Sequence, residues 1–273
     1  KKNSVKGIAI NGFSVKKASD LFGLANVVIF SPEDLSLIKD GPKERRRFVD
    51  LELCQLNKFY LHNLARYNRV LMQRNRLLKD IAFKPQLEDS LSVWDEELVK
   101  YGQAIIRLRR EFIENLQDKL IRIHKNISGG REELLLSYEE NVREEAFSEA
   151  IIKARDTEKK QRITLVGPHR DDLLFQINGD DIRKFGSQGQ KRTAALSLKL
   201  AEIELVKEKI EDYPILLLDD VFSELDKKRQ NFLLDEISDV QSIITCTGLE
   251  DLIENRFPID KLYYVEGGKI ECP

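Results

Sequence analysis

The sequence predicts an α/β body interrupted by a long α-helical lobe. Three observations carry this. Short apolar runs bounded by turn residues occupy the first thirty residues and the stretch after residue 160. Between them, apolar residues recur every three or four positions for more than eighty residues. Near the C-terminal end, the run Ile215-Leu216-Leu217-Leu218 has no polar alternation, as a buried parallel strand requires, and two acids follow it. We assign 1–41 and 161–273 to the body and 42–160 to the helical lobe.

Taken in order, Ile8–Ile10 and Phe13–Val15 flank Asn11-Gly12, a favoured two-residue hairpin turn. A short helix and the apolar strand Asn26–Phe30 follow. Ser31-Pro32-Glu33-Asp34 then offers a serine cap, a proline at the first helical position and acids in the first turn. From about residue 43 a stripe runs Val49, Leu53, Leu56, Tyr60, Leu64, Tyr67, Leu71 and Leu78, which predicts one long amphipathic helix. A second stripe runs from Leu91 to Ile127 and ends at Gly129-Gly130. The short segment around Pro85 makes the two helices antiparallel neighbours. The second would span roughly 55 Å, long enough for part of it to project as an arm.

After residue 160, Ile163–Val166 reads as a strand leading into the loop Gly167-Pro168-His169-Arg170-Asp171-Asp172. Leu173–Ile177 is a strand closing on Asn178-Gly179, and 193–210 is a helix. Beyond the Ile215 strand come a helix at about 227–237, a strand Ser242–Cys246 and a hairpin, Leu262–Val265 with Lys269–Cys272.

Composition bounds the function. The net charge of −2 hides a gradient, from +7 over residues 41–85 to −9 over residues 211–273. A local +7 is either a footprint for a polyanion or a solvated helix face neutralised by its neighbours. Cys54, Cys246 and Cys272 share no short spacing, and His62, His124 and His169 lie far apart, so neither a disulfide framework nor a zinc knuckle is supported. The chain reads as cytosolic, and no apolar run reaches the ~18 residues of a membrane span.

The chemistry gathers in three segments. An apolar strand ending in Asp219-Asp220 places two carboxylates at the C-terminal edge of a sheet, where α/β proteins bind ligands. In P-loop NTPases the first such acid holds Mg²⁺ and the next positions water; the plain alternative is a strand followed by an acidic turn. Gly186-Ser187-Gln188-Gly189-Gln190-Lys191-Arg192-Thr193 precedes a long helix and reads either as a phosphate cradle at a helix N-terminus or as an ordinary glycine-rich loop with an exposed basic start. Val221-Phe222-Ser223-Glu224-Leu225-Asp226 follows the acids; alone, Ser223 or Asp226 is no more than a helix cap.

Together, SQGQ, a long helix, ILLLDD and SELD resemble the ABC ATPase order of signature motif, Walker B and D-loop. With SPED, GPKERRRF, RN near residue 75, GPHRDD, SQGQKRTAALSLKLAE and LLLDDVFSELD, the chain resembles the RecF family from its first residues to its last hairpin. That resemblance implies an incomplete ABC-type P-loop NTPase head with an α-helical insertion lobe. It implies an ATP-dependent homodimer that binds DNA at single-strand gaps, hydrolyses ATP slowly at the dimer interface, and works with RecR and RecO in loading RecA. By motif, Asp219 would coordinate Mg²⁺ and Asp220 would act as base or water-positioner. Ser187, Gln188, Gly189 and Gln190 would meet the γ-phosphate of ATP held by the opposite subunit, with Asp226 at the seam. Thr245 and Thr247 fall where ABC proteins usually carry a switch histidine, and Ser31–Asp34 where a Q-loop would stand.

For DNA, the candidates are Arg45, Arg46 and Arg47, then Arg66, Arg69, Arg76 and Lys79 in near-helical register. His169-Arg170-Asp171-Asp172 is either a structural turn held by an Arg–Asp pair or a nucleotide contact. No GxxxxGK followed by Ser or Thr occurs in the chain. It therefore resembles a RecF lacking its N-terminal Walker A segment and is expected not to bind ATP alone. The competing reading is a non-catalytic scaffold that engages a partner through the helical hairpin.

Overall fold

The structure is a computed structural model that describes residues 7–15, 17, 21–247 and 258–271. Its first two strands, β1 (Ile8–Ile10) and β2 (Phe13–Val15), form the expected antiparallel hairpin through Asn11-Gly12, both at positive φ. Of the helix expected next, residues 16 and 18–20 lie outside those described, and 21–25 form turns rather than α-helix. β3 (Val27–Phe30) leads into a 3₁₀ turn at Pro32–Leu35, where the Asp34 carboxylate accepts the Ser31 N–H at 2.8 Å. α1 (Ser36–Lys39) completes this segment.

The long helix expected from residue 43 is two helices, α2 (Pro42–Leu56) and α3 (Lys58–Ile81). Asn57 takes an extended backbone, and its side-chain oxygen accepts the N–H groups of Phe59 and Tyr60 at 2.9 and 3.0 Å. That is a complete N-cap. The apolar stripe runs through the break unchanged, so periodicity alone does not reveal it.

α4 (Leu91–Ser128) is one helix of 38 residues, about 57 Å long. Contacts fix its antiparallel register on α3. Leu78 packs near Leu91, Arg74 binds Asp95, a Cβ on Gly102 would touch Tyr67, and Arg109 binds Tyr60. Buried side chains run from Leu91 to Ile127, so no part projects as an arm. Besides α3 it packs on β4 (Leu134–Glu139) and α7 (Gln188–Ile210).

β4 was not anticipated. It pairs antiparallel with β5 (Asp172–Ile177), which turns at Asn178-Gly179 into β6 (Asp180–Asp181). α5 (Phe147–Gln161) lies between β4 and β5 in sequence. Residues 163–166 are not a strand, because side chains take their backbone donors. Thr164 N–H bonds the Asn75 side chain at 2.7 Å, and Leu165 N–H bonds Glu158 at 2.6 Å. α6 (Ile182–Phe185) then precedes α7, which begins five residues earlier than expected and is buried almost all round between residues 193 and 206.

β7 (Ile215–Asp219) pairs in parallel with β3 on one side and β8 (Ser242–Thr245) on the other. Val28, Phe30, Leu216 and Leu218 face the core. On the opposite face, Ile29 (53% exposed) and Ile243 (60% exposed) flank Leu217 in one register row. α8 (Lys227–Glu236) lies between β7 and β8 in sequence, and β9 (Tyr264–Glu266) with β10 (Lys269–Glu271) forms the final hairpin; Cys272 lies outside the described residues. One hydrophobic core joins Val28 and Leu216 of the parallel sheet to Ile105 of α4 and Leu134 of β4. Among the described residues, no helix is long and apolar enough to cross a membrane.

Candidate functional site

Asp219 ends β7 directly opposite Thr245 of β8. The Thr245 hydroxyl donates to Asp219 Oδ1 at 2.6 Å, and the Asp220 N–H donates to the Thr245 carbonyl at 3.1 Å. The chain turns sharply here, with Asp220 at φ +50°, a region L-residues visit at a cost of about 1 kcal/mol. The Ser223 hydroxyl closes the turn on the Asp220 carbonyl at 2.8 Å. Asp219 thus stands exposed at the sheet edge, oriented by a threonine. Thr247, two residues on, is exposed. Among the described residues, no three His, Cys, Asp or Glu side chains gather as a metal cage. One exposed carboxylate beside a hydroxyl suits Mg²⁺ that arrives with phosphate oxygens and keeps its waters.

The SQGQ segment is the first turn of α7 rather than a loop before it. A Cβ on Gly186 would lie 2.5 Å from the Ile182 side chain and carbonyl, so the chain closes tightly there. Ser187 caps the helix: its hydroxyl accepts the Gln190 N–H at 3.2 Å, while Gln190 Oε1 accepts the Ser187 N–H at 2.8 Å. Ser187, Gln188 and Gly189 are exposed, at the positive end of a 23-residue helix.

Asp226 caps α8 by accepting the Arg229 N–H at 3.0 Å. The Arg229 guanidinium pairs with the same carboxylate and also donates to the Thr193 hydroxyl at 2.6 and 2.9 Å. The Thr193 hydroxyl in turn donates to the Gly189 carbonyl at 2.8 Å, and Arg192 pairs with Glu224. The SELD segment and the SQGQ turn are therefore one bonded unit. No hydrogen bond among the described residues joins Ser187 to Asp219 or Asp220. Sequence reasoning missed Arg229 and Thr193; their only signal is a position within or just after the motifs.

The basic candidates separate into two groups. Arg45 is 3% exposed and forks onto Asp172 at 2.6 and 2.9 Å while donating to the Asp40 carbonyl at 2.7 Å. It is thus withdrawn from any phosphate. Arg46 is half-buried on the Asp171 carbonyl at 2.6 Å, and burial and the nearby Arg109 lower its pKa. Arg47 is exposed, as are Arg66, Arg69, Arg76 and Lys79 along one side of α3. Among the described residues, the loose contacts Arg47–Glu44 and Arg76–Asp80, 3.9 and 4.0 Å, are the ion pairs that offset them.

The His169–Asp172 segment is a structural hub. Asp171 is 1% exposed and accepts from Arg109 (3.1 Å), the Asn141 N–H (2.8 Å) and the Tyr138 hydroxyl. Burial raises its pKa and Arg109 opposes the rise. The arginines that hold Asp171 and Asp172 come from α4 and α2, not from Arg170. His169 Nε2 faces the Thr164 carbonyl at 3.2 Å, so it donates there, and Nδ1 accepts the Tyr67 hydroxyl at 2.7 Å. Burial pushes the imidazole pKa down to about 4. Gly167, at φ +132°, lets the chain pass the Tyr67 hydroxyl, which a Cβ would meet at 2.5 Å.

No family model matches the chain. Curated relatives do. The "DNA replication and repair protein RecF" of Agathobacter rectalis is 58% identical over 271 residues, covering 99% of this chain and 75% of the relative. That of Lachnoclostridium phytofermentans is 57% identical over the same span, and that of Clostridium tetani 44% over 280 residues. Two solved structures of the recombination mediator protein RecF in the RecFOR pathway, RecF-ATPrS and RecF-ATP, are 37% identical to the chain. They superpose with TM-scores of 0.89 and 0.90, over 99% of this chain and 74% of each of theirs.

Proposed function

The chain belongs to the RecF family, and we propose that it works as an ATP-dependent, DNA-binding recombination mediator at single-strand gaps, with RecR and RecO as partners in loading RecA. Residues 161–273 with 1–41 form its ATPase head and 42–160 its helical lobe. One observation carries this reading. Asp219, oriented by Thr245 at the end of β7, and the exposed SQGQ turn, tied to Asp226 through Thr193 and Arg229, are two separate exposed surfaces, and among the described residues no hydrogen bond joins Ser187 to Asp219 or Asp220, as expected of half-sites that meet when a second copy docks.

In this reading Asp219, steered by Thr245, would hold Mg²⁺, which supplies charge neutralisation at the β- and γ-phosphates when bound. Asp220 takes the place of the water-positioning acid. Ser187 and the first N–H groups of α7 receive the γ-phosphate of ATP on the partner copy, where helix-end charge favours an anion. Asp226 sits at the seam and moves with that turn through Arg229. Arg47, Arg66, Arg69, Arg76 and Lys79 form the track for the DNA backbone, without base readout.

Two measurements test this. Because its residues contain no Walker A loop, the chain alone is expected to show no micromolar ATP binding by titration calorimetry. Micromolar binding would overturn that part. On gapped DNA, affinity should fall steeply between 50 and 200 mM salt, and each of Arg66→Ala, Arg69→Ala and Arg76→Ala should flatten the log–log slope by about 0.9. A chain that ignores gapped DNA, with or without those substitutions, supports the scaffold reading instead.

A further inference from the structure

We propose that Glu132 and His124, which lie outside every motif described above, are positioning residues for the SQGQ turn, tying it to the C-terminal end of α4. This rests on the ATPase reading. Glu132 lies four residues beyond the end of α4, in the connection to β4. Its Oε1 accepts from Gln190 Nε2 at 3.0 Å. The other end of the same amide, Gln190 Oε1, holds the Ser187 N–H. With both ends engaged, the amide has one orientation. Losing Glu132 frees it to rotate away from Ser187.

The second Glu132 oxygen lies 3.3 Å from Nε2 of His124, which is fully buried on α4. Nδ1 of that ring lies 3.0 Å from the Ser197 hydroxyl. Nε2–H donates to the Glu132 carboxylate, which leaves Nδ1 to accept from the Ser197 hydroxyl. Thr193, through its hydroxyl, holds the Gly189 carbonyl. The C-terminal end of α4 therefore reaches the SQGQ turn at Gln190 through Glu132, while His124 ties it to Ser197, one turn along α7 from the Thr193 that holds the Gly189 carbonyl. A buried imidazole bonded at both nitrogens is an expensive way to fill space. It is an effective way to set the distance between two helices to within a hydrogen bond. Because α4 lies against the basic helix α3, a shift of that pair is delivered to the serine that meets the partner's nucleotide.

The test has two arms. In ¹⁵N-labelled chain, Glu132→Ala should lower exchange protection of the Ser187 and Gln190 amides about tenfold, while Glu132→Gln, which still accepts from Gln190, should not. At the full length of its relatives, Glu132→Ala should reduce kcat for ATP about tenfold or more and weaken ATP-driven dimerisation. Affinity of a single subunit for ATP should stay unchanged, and Glu132→Gln should restore turnover to within about twofold. Unchanged protection, or turnover untouched in Glu132→Ala, overturns the proposal. A wild-type protein without ATP turnover would sink the ATPase reading, while the exchange arm would still report whether the link exists.

Discussion

At the scale of single residues, Arg45 and Arg69 look alike in sequence and differ completely in the fold. Arg45 is buried against Asp172, and removing one partner of a buried pair typically costs about 3–5 kcal/mol. Arg45→Ala should therefore show a large loss of stability in urea unfolding, while Arg69→Ala, on the exposed side of α3, should stay within about 0.5 kcal/mol. Equal effects would contradict the buried fork. Nothing local distinguishes them, since the partner of Arg45 lies 127 residues away. The pair Asp219-Asp220 was legible because strand and acids are contiguous. The Thr245 hydroxyl that orients Asp219 was legible only as a position.

His169 makes a prediction with a sign. Its pKa is lowered to about 4 in the fold, against about 6.5 in the unfolded chain. Between those values the unfolded state binds more protons, so stability rises with pH. The contribution should be fully present above pH 6.5 and be lost as pH falls toward 4, by about 3 kcal/mol in all, of which about 2 kcal/mol falls between pH 7 and pH 5. Urea midpoints at pH 7 and pH 5 should show this drop, and His169→Gln should shrink it. A pH-independent difference between the two proteins would refute the assignment.

At the scale of elements, Asn57 separates α2 from α3 while the apolar stripe continues. Asn57→Ala removes a cap that accepts two N–H groups, and should cost about 1 kcal/mol by urea unfolding. The same loss from Asn57→Asp, which caps equally well, would argue against capping as the cause. The break is hidden because Asn57 lies off the apolar stripe, which keeps its period from Leu53 through Tyr60. The strand expected at 163–166 fails for a different reason. Ile163 to Val166 has a strand's composition, but the donors that would make a ladder go to Asn75 and Glu158, contacts set by the tertiary fold. The SQGQ segment was misplaced by a few residues, because Ser187 caps α7 from a position expected to lie in the loop.

At the scale of the molecule, the α/β body and the helical insertion were both visible in the change of apolar period. That they share one core was not, because β4 finds its partner β5 only beyond α5. The row Ile29, Leu217, Ile243 leaves an apolar sheet face open, where parallel sheets are normally covered on both sides. Sedimentation velocity should show the chain associating as concentration rises, and Ile243→Ser should reduce it. A monodisperse monomer at high concentration would exclude that role for the face.

The pairing of β3 with β7 also sets a timetable. Val27 finds Ile215 about 190 residues later in the chain. At a synthesis rate of about 5–20 residues per second, the finished β3 waits about 10–40 s for its partner. During that interval α3 and α4 emerge and can pair, while β3 still lacks its β7 partner. From the completion of α4 at Ser128 until Ile215 is made, the growing chain therefore carries a finished helical pair beside a sheet that still lacks β7, the strand between β3 and β8.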